Sequence, residues 1–242
     1  MTPATEARAA LIIPALDEES AIGATLAAVP AGLFRLVIVA DNGSRDRTAQ
    51  IAARHGALVV SEPERGYGAA CLRAIAALPA DIDVIVFMQA DGSEDPGEAP
   101  QLIAPILEGR ADLVIGSRVL GPAAPGSLLA RQRFGNWLAT SLIRWLHGFR
   151  YTDLGPFRAI SASALRRLGM RDRNYGWTVE MQVRALTAGL RVLETPVSYR
   201  LRRGGENKVS GSLKASLAAG AKILWTVARL SLLKRRRAGV LM

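Results

Sequence analysis

Short apolar runs alternate with helix-like segments along much of the chain. Runs that are apolar on both faces are typical of strands in a parallel sheet that is covered on both sides. The predicted strands are residues 9–14, 36–40, 57–60, 82–88, 112–115 and 191–197. The predicted helices are residues 18–29, 46–54, 67–78, 98–107 and 128–147. This order predicts an α/β fold with helices on both faces of a mostly parallel sheet.

Polar residues follow the carboxyl ends of the first four predicted strands. In an open parallel sheet these ends share one edge, and ligands bind there. We therefore expect a substrate site at this edge. The residues that it would contain are Pro14, Ala15, Asp17 and Glu18 after the first strand, Asp41 after the second, Arg65 and Gly68 after the third, and Gln89 and Asp91 after the fourth.

Two of these strand ends also allow a purely structural interpretation. Asp41 precedes Asn-Gly-Ser, a common turn that can lead into a helix cap. Gly66 and Gly68 precede a predicted helix, where glycines let backbone N–H groups approach a phosphate. The same glycines can instead serve tight packing, and their spacing matches neither a Walker loop nor a dinucleotide fingerprint. Both pairs of alternatives stay open at this point.

The stretch VFMQADGSEDP, residues 86–96, delivers a carboxylate at the end of a strand that reads as buried. Asp91, with Gln89 and Ser93 on either side, offers oxygen ligands along one side of an extended segment. Hard cations such as Mg²⁺ or Mn²⁺ take such ligands together with phosphate oxygens of a substrate. We predict a metal site at Asp91, Gln89 and Ser93. The alternative is an exposed acidic turn.

The charge of the chain is concentrated near its C-terminus. Residues 199–242 contain eleven Lys or Arg and one acid, which gives +10, so residues 1–198 sum to zero against the total of +10. A basic segment of this kind predicts an anionic partner. The chain has one cysteine, Cys71, so it has no internal disulfide framework, and a reducing compartment is expected.

Several motifs together resemble those of a known family. In chain order they are LIIPALDEE, VIVADNGSRDRT, ERGYGAACLRAI, FMQADGSEDP, VIGSR, RFGN and DLGPFRAI. The series resembles the family 2 glycosyltransferases, and within them the branch of dolichol- or polyprenyl-phosphate mannose and glucose synthases. The resemblance covers roughly residues 10–212, and it rests on the ordered series rather than on any single motif.

This resemblance implies a GT-A fold, a nucleotide-sugar donor and a divalent metal. It also implies that Pro14, Asp17, Glu18 and Asp41 hold the nucleoside and that Asp91 lies at the metal. The chain departs from the family at Gln89-Ala90-Asp91, where members usually carry Asp-x-Asp, so one metal carboxylate is replaced by a neutral amide. The larger relatives carry membrane-spanning hairpins, whereas this sequence has no uncharged apolar run long enough for a span.

Transfer from a nucleoside diphosphate sugar requires cations that stabilise the departing diphosphate. The candidates are Arg118 in VIGSR and the loop residues Arg200, Arg202, Arg203 and Lys208. The alternative for the loop is a solvated basic surface. Its Gly-Gly pair favours a loop that folds over a ligand.

The acceptor decides whether a general base is needed. A phosphate monoester is largely dianionic at neutral pH and needs cations instead, for which Arg131, Arg133 and Asn136 are suited. A sugar hydroxyl needs a base, and Asp153 and Glu180 are the available carboxylates. The structural alternatives are a turn residue for Asp153 and a solvated helix face for Glu180.

Three functions remain in competition. The leading hypothesis is an inverting transfer of a hexose, from a donor of the GDP-mannose or UDP-glucose type, to a polyprenyl or dolichyl phosphate at the cytoplasmic membrane face. The second keeps the fold but uses a hydroxyl acceptor in glycan or cell-envelope synthesis. The third is a non-enzymatic nucleic-acid-binding protein. The basic segment lacks the interleaved aromatic residues of such proteins, so we expect no nucleic-acid partner.

The C-terminal segment is predicted to form a separate element, with a catalytic domain at residues 1–211 and an amphipathic basic tail at 212–242. Its three charges between residues 212 and 233, Lys214, Lys222 and Arg229, share one helical face, and apolar residues cover much of the remainder. A basic run, residues 234–237, follows. We expect this helix to lie on an anionic membrane surface. The alternative is a helix that packs on the protein core.

Overall fold

The computed structural model describes residues 8–204 and 220–231. Its strands are β1 (Ala9–Ala15), β2 (Leu36–Asp41), β3 (Leu58–Ser61), β4 (Val84–Phe87), β5 (Leu113–Ser117), β6 (Arg158–Ser161) and β7 (Val192–Pro196). Its helices are α1 (Ile22–Ala27), α2 (Thr48–Arg54), α3 (Tyr67–Ala76), α4 (Ala99–Leu107), α5 (Ala130–His147), α6 (Ala162–Leu168) and α7 (Trp177–Thr187), with a 3₁₀ turn at Pro96–Glu98. Residues 220–231 form a further helix, α8.

The strands form one sheet in the order β3-β2-β1-β4-β6-β5-β7. Alternate residues of the central strands enter two separate cores. Ile12 and Ile85 pack on the face that carries α3, α5 and α7. Leu11 and Val86 pack on the opposite face, with α1 and α4. Both faces are buried, which is why these strands read as continuous apolar runs.

The register of the sheet brings the predicted strand ends together. Ala15 of β1 pairs with Asp41 of β2, and Ile12 of β1 pairs with Phe87 of β4, all in parallel. The segments after β1, β2 and β4 therefore leave the sheet at one edge. The α/β fold is confirmed, and most predicted boundaries lie within two residues of the observed ones. The helix predicted at 18–29 is shorter, because residues 18–21 form turns before α1.

Strand β6 and helix α6 were not predicted. β6 runs antiparallel between β4 and β5, so the sheet is mixed although mostly parallel. It is only four residues long and begins with Arg158, whose side chain is fully buried. The guanidinium donates to the carbonyl oxygens of Leu154, Gly155 and Thr178, at 3.1, 3.0 and 2.9 Å. Because this short strand begins with a charged residue, its hydrophobicity pattern does not indicate a strand.

Helix α8 corrects the expectation for the C-terminal segment. Val227 is fully buried in the core that contains α5 and α7, and Ile223 and Leu230 pack against the same core. His147 and Ser231 share a hydrogen bond of 2.7 Å, and Lys222 pairs with Asp172 at 3.2 Å. The apolar stripe expected to face a membrane therefore packs on the protein over residues 220–231. The rest of the predicted tail, including Lys214 and residues 234–237, lies outside the described residues, so the domain boundary at 212 stays a prediction.

None of the helices in the described ranges is long and apolar enough to cross a membrane.

Candidate active site

A cavity of about 500 Å³ opens at the sheet edge where β1, β2 and β4 end. Helix α5, the loop before α7 and the start of α8 close its other sides. The lining contains ten of the residues predicted for the site: Pro14, Ala15, Glu18, Arg65, Gln89, Asp91, Arg118, Arg131, Asn136 and Arg202. The structure thus gathers residues from both halves of the chain into one site.

A hydrogen-bond network joins the segments that follow β1 and β2, where the nucleoside contacts were predicted. Asp17, in a left-handed conformation (φ 49°), accepts the Arg45 N–H at 2.7 Å. Asp41 receives the Ser44 N–H at 3.3–3.4 Å, so its carboxylate caps its own turn. Neither Asp17 nor Asp41 is part of the cavity lining, and their predicted contact with a nucleoside stays a prediction.

Asn42 connects this turn to the loop after β3. Its amide donates to the carbonyl oxygens of Glu62 and Glu64, at 3.0 and 2.7 Å, and its oxygen accepts the Gly66 N–H at 2.8 Å. Asn42 also lines the cavity. The sequence interpretation treated it as a turn residue, and its position after a strand end was the available signal.

Gly66 and Gly68 permit a close approach of another backbone segment, and Gly66 also lines the cavity. A Cβ on either glycine would lie 2.0 Å from a backbone oxygen, that of Arg173 for Gly66 and that of Asp172 for Gly68. Ala69 donates its N–H to the Arg173 oxygen at 2.9 Å. The 172–173 backbone therefore packs directly against both glycines. Gly68 does not line the cavity, and its predicted contact with a ligand stays a prediction. Arg65, beside them, does line the cavity and donates to the Gly43 oxygen at 3.0 Å.

The predicted metal position lies at the bottom of the cavity. Asp91 is almost fully buried, and its Oδ1 accepts from the N–H and the hydroxyl of Ser93, at 3.0 and 2.5 Å. Ser93 is itself fully buried and does not line the cavity, so it orients Asp91 rather than offering a ligand. The Oε1 of Gln89 lies 3.4 Å from the Ser93 hydroxyl, and both Gln89 and Asp91 face the cavity.

These oxygens fit a hard divalent ion. One carboxylate and one amide oxygen are a small ligand set, of the kind that Mg²⁺ and Mn²⁺ complete with waters and substrate phosphate oxygens. Within the part of the chain that the structure describes, no three His, Cys, Asp or Glu residues gather into a denser metal cluster. Asp91 is therefore the principal candidate ligand, with Gln89 beside it.

Glu94 is a buried acid that the sequence interpretation did not single out. Its Oε2 accepts the Gln89 N–H at 2.7 Å, so it supports the backbone of the metal segment. Burial, opposed by this hydrogen bond, raises the pKa of the Glu94 carboxyl to about 8, and the nearby Asp91 carboxylate acts in the same direction as burial. Glu94 thus favours its neutral form near neutral pH.

Arg118 and Asp153 form a buried ion pair, and Arg118 borders two cavities. The Nε of Arg118 lies 2.7 Å from Oδ2 and its Nη2 lies 2.8 Å from Oδ1, while its backbone N–H donates to Oδ2 at 2.9 Å. The guanidinium lies over the Tyr199 ring, 5.0 Å from its centre. Burial disfavours the Arg118 cation, but the Asp153 carboxylate outweighs burial and raises the pKa of Arg118. Both oxygens of Asp153 are thus engaged by Arg118.

Helix α5 separates the two arginines that were predicted to hold an acceptor anion. Arg131 lines the first cavity, whereas Arg133 lines a second cavity of about 680 Å³ with Arg144, Arg150 and Asp153. Arg118, Gln132 and Asn136 border both cavities. Within residues 8–204 and 220–231, the four arginines 131, 133, 144 and 150 have no carboxylate partner.

Asn136 has a structural role at the border of the two cavities. Its amide donates to the Thr152 oxygen at 2.8 Å, and its oxygen accepts the Leu154 N–H at 2.8 Å. The side chain therefore fixes the loop that carries Asp153. An acceptor contact by Asn136 would have to compete with these two bonds.

Glu180 lies outside both cavities. It is buried, and it accepts from the N–H groups of Arg171 (3.0 and 3.2 Å) and Asp172 (2.7 Å) and from the Nε of Arg184 (2.7 Å). The alternative of a solvated helix face is wrong, because Glu180 is buried and its carboxylate holds the loop that approaches Gly66 and Gly68. The predicted role as a base stays a prediction.

The arginines of the basic loop after β7 have different environments. Arg202 enters the cavity and pairs with Glu18 at 2.6 Å and Asp91 at 2.9 Å. Arg200 points away and pairs with Asp95, so its predicted contact with a diphosphate is not supported by this arrangement. Lys208 lies outside the described residues. The lining also contains residues outside the quoted motifs, notably Asn174, Tyr175, Thr178 and Tyr199.

Comparison with known proteins agrees with this geometry. The sequence profile of glycosyl transferase family 2 matches residues 10–169. An uncharacterised glycosyltransferase of Mycobacterium tuberculosis (strain H37Rv) is 43% identical over 209 residues, which cover 86% of this chain and 93% of its own length. The undecaprenyl-phosphate mannosyltransferase of Micrococcus luteus is 30% identical over 221 residues, 85% of this chain and 89% of its own. The dolichyl-phosphate hexose transferase of Haloferax volcanii is 30% identical over 239 residues, 98% of this chain and 100% of its own.

Among solved structures, the glucosyl-3-phosphoglycerate synthase of Mycobacterium tuberculosis has a similar fold. Its complex with Mn²⁺, UDP-glucose and phosphoglyceric acid superposes with a TM-score of 0.71 at 25% identity, over 93% of this chain and 80% of that one. Its complex with Mg²⁺ and UDP gives a TM-score of 0.72 at 25% identity, over 93% and 79%. The GT-A architecture is thereby confirmed, and the predicted Mg²⁺ or Mn²⁺ matches the ions in these complexes. By its profile match and by relatives at 43% and 30% identity, the chain is a glycosyltransferase and belongs to glycosyl transferase family 2.

Proposed function

We propose that the protein is an inverting hexosyltransferase that moves a sugar from a nucleoside diphosphate to a polyprenyl phosphate. The observation that carries this proposal is the pairing of Asp153 with Arg118. Both oxygens of the Asp153 carboxylate are engaged by the Arg118 guanidinium, whereas Arg131, which lines the first cavity together with Arg118, has no carboxylate partner in the described chain. Such a site favours an acceptor that arrives as an anion.

The donor would bind along the sheet edge. Pro14, Ala15 and Glu18 with Asn42 and Arg65 offer a nucleoside site, and the diphosphate would lie towards Gln89 and Asp91. A divalent ion held at Asp91 would neutralise the charge that develops on the departing diphosphate. The Mn²⁺, UDP-glucose complex of the similar synthase supports this arrangement.

The acceptor chemistry needs no proton transfer. A phosphate oxygen attacks the anomeric carbon from the face opposite the diphosphate, so the new C–O bond forms as the bond to the diphosphate breaks, and the anomeric configuration inverts. The phosphate is already mostly dianionic near pH 7, since its second pKa is about 6. Arg118 and Arg131 would orient and partly neutralise it. The names of the Micrococcus and Haloferax relatives support a polyprenyl carrier.

A lipid acceptor requires contact with a membrane, and helix α5 offers a surface for it. Its buried residues, Ala139, Thr140 and Ile143, lie on the face opposite three exposed aromatic side chains. Phe134, Trp137 and Trp145 are 62%, 60% and 80% exposed, and at about 100° per residue they share one face. We call Phe134, Trp137 and Trp145 the aromatic stripe.

Arginines flank this stripe on both sides. Arg131 borders the first cavity, and Arg133 and Arg144 border the second cavity. Interfacial aromatic rings beside basic residues are typical of surfaces that bind an anionic bilayer. We therefore assign the proposed peripheral attachment, at the cytoplasmic membrane face, to α5 in place of residues 220–231. This attachment would bring the head of a lipid acceptor next to Arg118 and Arg131.

The proposal is tested with purified protein, Mn²⁺ or Mg²⁺ and undecaprenyl phosphate in detergent, screened against GDP-mannose, UDP-glucose and other nucleotide sugars. We expect one donor to give a hexosyl phosphoryl lipid, identified by mass spectrometry. Asp91→Asn should abolish the product while the protein stays folded. Turnover of a donor onto sugar hydroxyls or phosphoglyceric acid, with no lipid product, would replace the proposal by the hydroxyl-acceptor alternative.

A further inference from the structure

Residues 199–204 form a strap over the metal segment. The Arg200 N–H donates to the Ser93 oxygen at 2.7 Å, and the Arg203 N–H donates to the Asp91 oxygen at 3.0 Å. Gly92 permits this approach: its φ is 71°, and a Cβ there would lie 2.9 Å from the side chain of Arg203. The backbone on both sides of Arg202 is thus fixed to the segment that carries Asp91.

From this strap, Arg202 bridges two buried carboxylates. Its Nη1 lies 2.9 Å from Oδ2 of Asp91, and its Nη2 lies 2.6 Å from Oε1 of Glu18. The side chains of Asp91 and Glu18 are 3% and 8% exposed, and that of Arg202 is 23% exposed. Buried carboxylates need a cation nearby, and the guanidinium supplies it.

This bridge lies where a divalent ion would bind. Oδ1 of Asp91 is engaged by Ser93 and Oδ2 by Arg202, so a metal ion must displace the guanidinium to gain the second oxygen. A second metal carboxylate would help the ion in this competition, but Gln89 is neutral. The local arrangement therefore favours the arginine over a free metal ion.

We infer, on the basis of the proposed function, that Arg202 competes with the divalent ion for Asp91 and yields only when the donor diphosphate arrives with the metal. The diphosphate gives the guanidinium a new anionic partner, and the arginine fork suits phosphate oxygens. The Nε of Arg202 is buried and has no hydrogen-bond partner among the described residues, so one donor is available for this contact. Because the strap holds residues 200 and 203, the exchange needs only a side-chain rotation.

The exchange makes metal loading depend on the nucleotide. When the metal ion arrives without a nucleotide, the Asp91 carboxylate is already paired with Arg202. Metal with a nucleoside diphosphate releases Asp91 and keeps Arg202 in the complex as a ligand of the diphosphate. Arg202 would thus prevent a metal-loaded site that holds no donor.

The test is Mn²⁺ binding, measured by electron paramagnetic resonance without acceptor or turnover, in the full chain and in Arg202→Gln. We expect Arg202→Gln to bind Mn²⁺ alone about tenfold more tightly, because a competing cation next to Asp91 is removed. Arg203→Gln, on the same strap but without an ion pair in the described chain, is the matched control and should bind Mn²⁺ like the wild type. Arg202→Lys should fall between wild type and Arg202→Gln, and it decides the question if the glutamine variant unfolds.

A second arm adds UDP or GDP. In the wild type the nucleotide should increase Mn²⁺ affinity strongly, and in Arg202→Gln by clearly less. The inference is overturned if Arg202→Gln and Arg202→Lys bind Mn²⁺ alone no more tightly than the wild type, or if the nucleotide effect is equal in both. Failure of every nucleotide to bind would count against the proposed donor, whereas the metal-only comparison would still decide the competition at Asp91.

Discussion

Arg118 and Asp153 form a two-pronged ion pair in which both carboxylate oxygens accept from one guanidinium, at 2.7 and 2.8 Å. Asp153 is 1% exposed at its side chain and Arg118 is 15% exposed. The remaining surface of Arg118 faces the cavity and the Tyr199 ring. A ligand in the cavity can therefore contact the arginine, whereas both oxygens of the carboxylate are already bonded to it. This arrangement favours a positioning role for Asp153 over that of a base.

Asp153→Asn should lower lipid transfer about 10²-fold, because Arg118 loses the partner that holds it toward the reacting phosphate. The pH profile of kcat/KM should keep the shape of the wild type, since no catalytic proton is taken up by Asp153. Arg118→Lys combined with Asp153→Asn should cost little more than either change alone. Loss of the acidic limb, the fall in kcat/KM at low pH, from the profile of Asp153→Asn would show that the carboxylate acts as a base.

Arg131 and Arg133 should differ in their effect on the acceptor. Arg131→Gln removes a cation from the first cavity and should reduce kcat/KM for polyprenyl phosphate about tenfold, with a small effect on donor affinity. Arg133→Gln changes the second cavity and should have the weaker effect. Steady-state kinetics with a fixed donor compares them, and an equal loss in both would contradict the separation of the two arginines by α5.

The sheet and its functional edge were accessible from the sequence because buried strands are apolar on both faces and end in polar residues. Ten of the predicted site residues line one cavity for this reason. Partners distant in sequence were not accessible: nothing in the pattern indicates that Arg202 reaches Asp91 or that Glu180 holds the 171–172 backbone. Gly68 is a further example. The sequence does not distinguish a glycine that allows close packing from one that approaches a phosphate, because the neighbouring backbone of Asp172 is distant in sequence.

Glu94 should make stability depend on pH. Its pKa is near 8 in the folded protein and near 4.5 when exposed, so the folded state holds an extra proton between these values. The contribution of Glu94 to the free energy of unfolding is fully present below about pH 4.5 and is lost as pH rises through about 8. The total change is on the order of a few kcal/mol. Glu94→Gln keeps a neutral side chain and should lose less stability between pH 5 and about 8.5 in urea unfolding.

The matched control for this experiment is Glu108→Gln, because Glu108 lies in an exposed pair with Arg110. Its stability should follow the wild-type pH dependence. If Glu94→Gln also follows the wild-type curve, Glu94 does not hold a proton in the folded state near neutral pH.

The aromatic stripe of α5 should carry membrane attachment. Trp137→Gln combined with Trp145→Gln should reduce flotation with anionic vesicles about tenfold or more, because two large rings no longer enter the interface. Trp225→Gln is the matched control, since Trp225 is 52% exposed on α8. Raised salt should weaken attachment of the wild type through its arginines. If Trp225→Gln loses more flotation than the α5 variant, the C-terminal segment, and not α5, carries the membrane-binding surface.

The most direct test of the central claim compares two acceptors that differ only at the reacting group: a polyprenyl phosphate and the corresponding polyprenol. Initial rates are measured with the same donor, metal and detergent. A phosphate nucleophile held by Arg118 and Arg131, with no free base beside it, predicts rapid transfer to the polyprenyl phosphate and none to the alcohol. Comparable transfer to the alcohol, or transfer to it alone, would contradict the account.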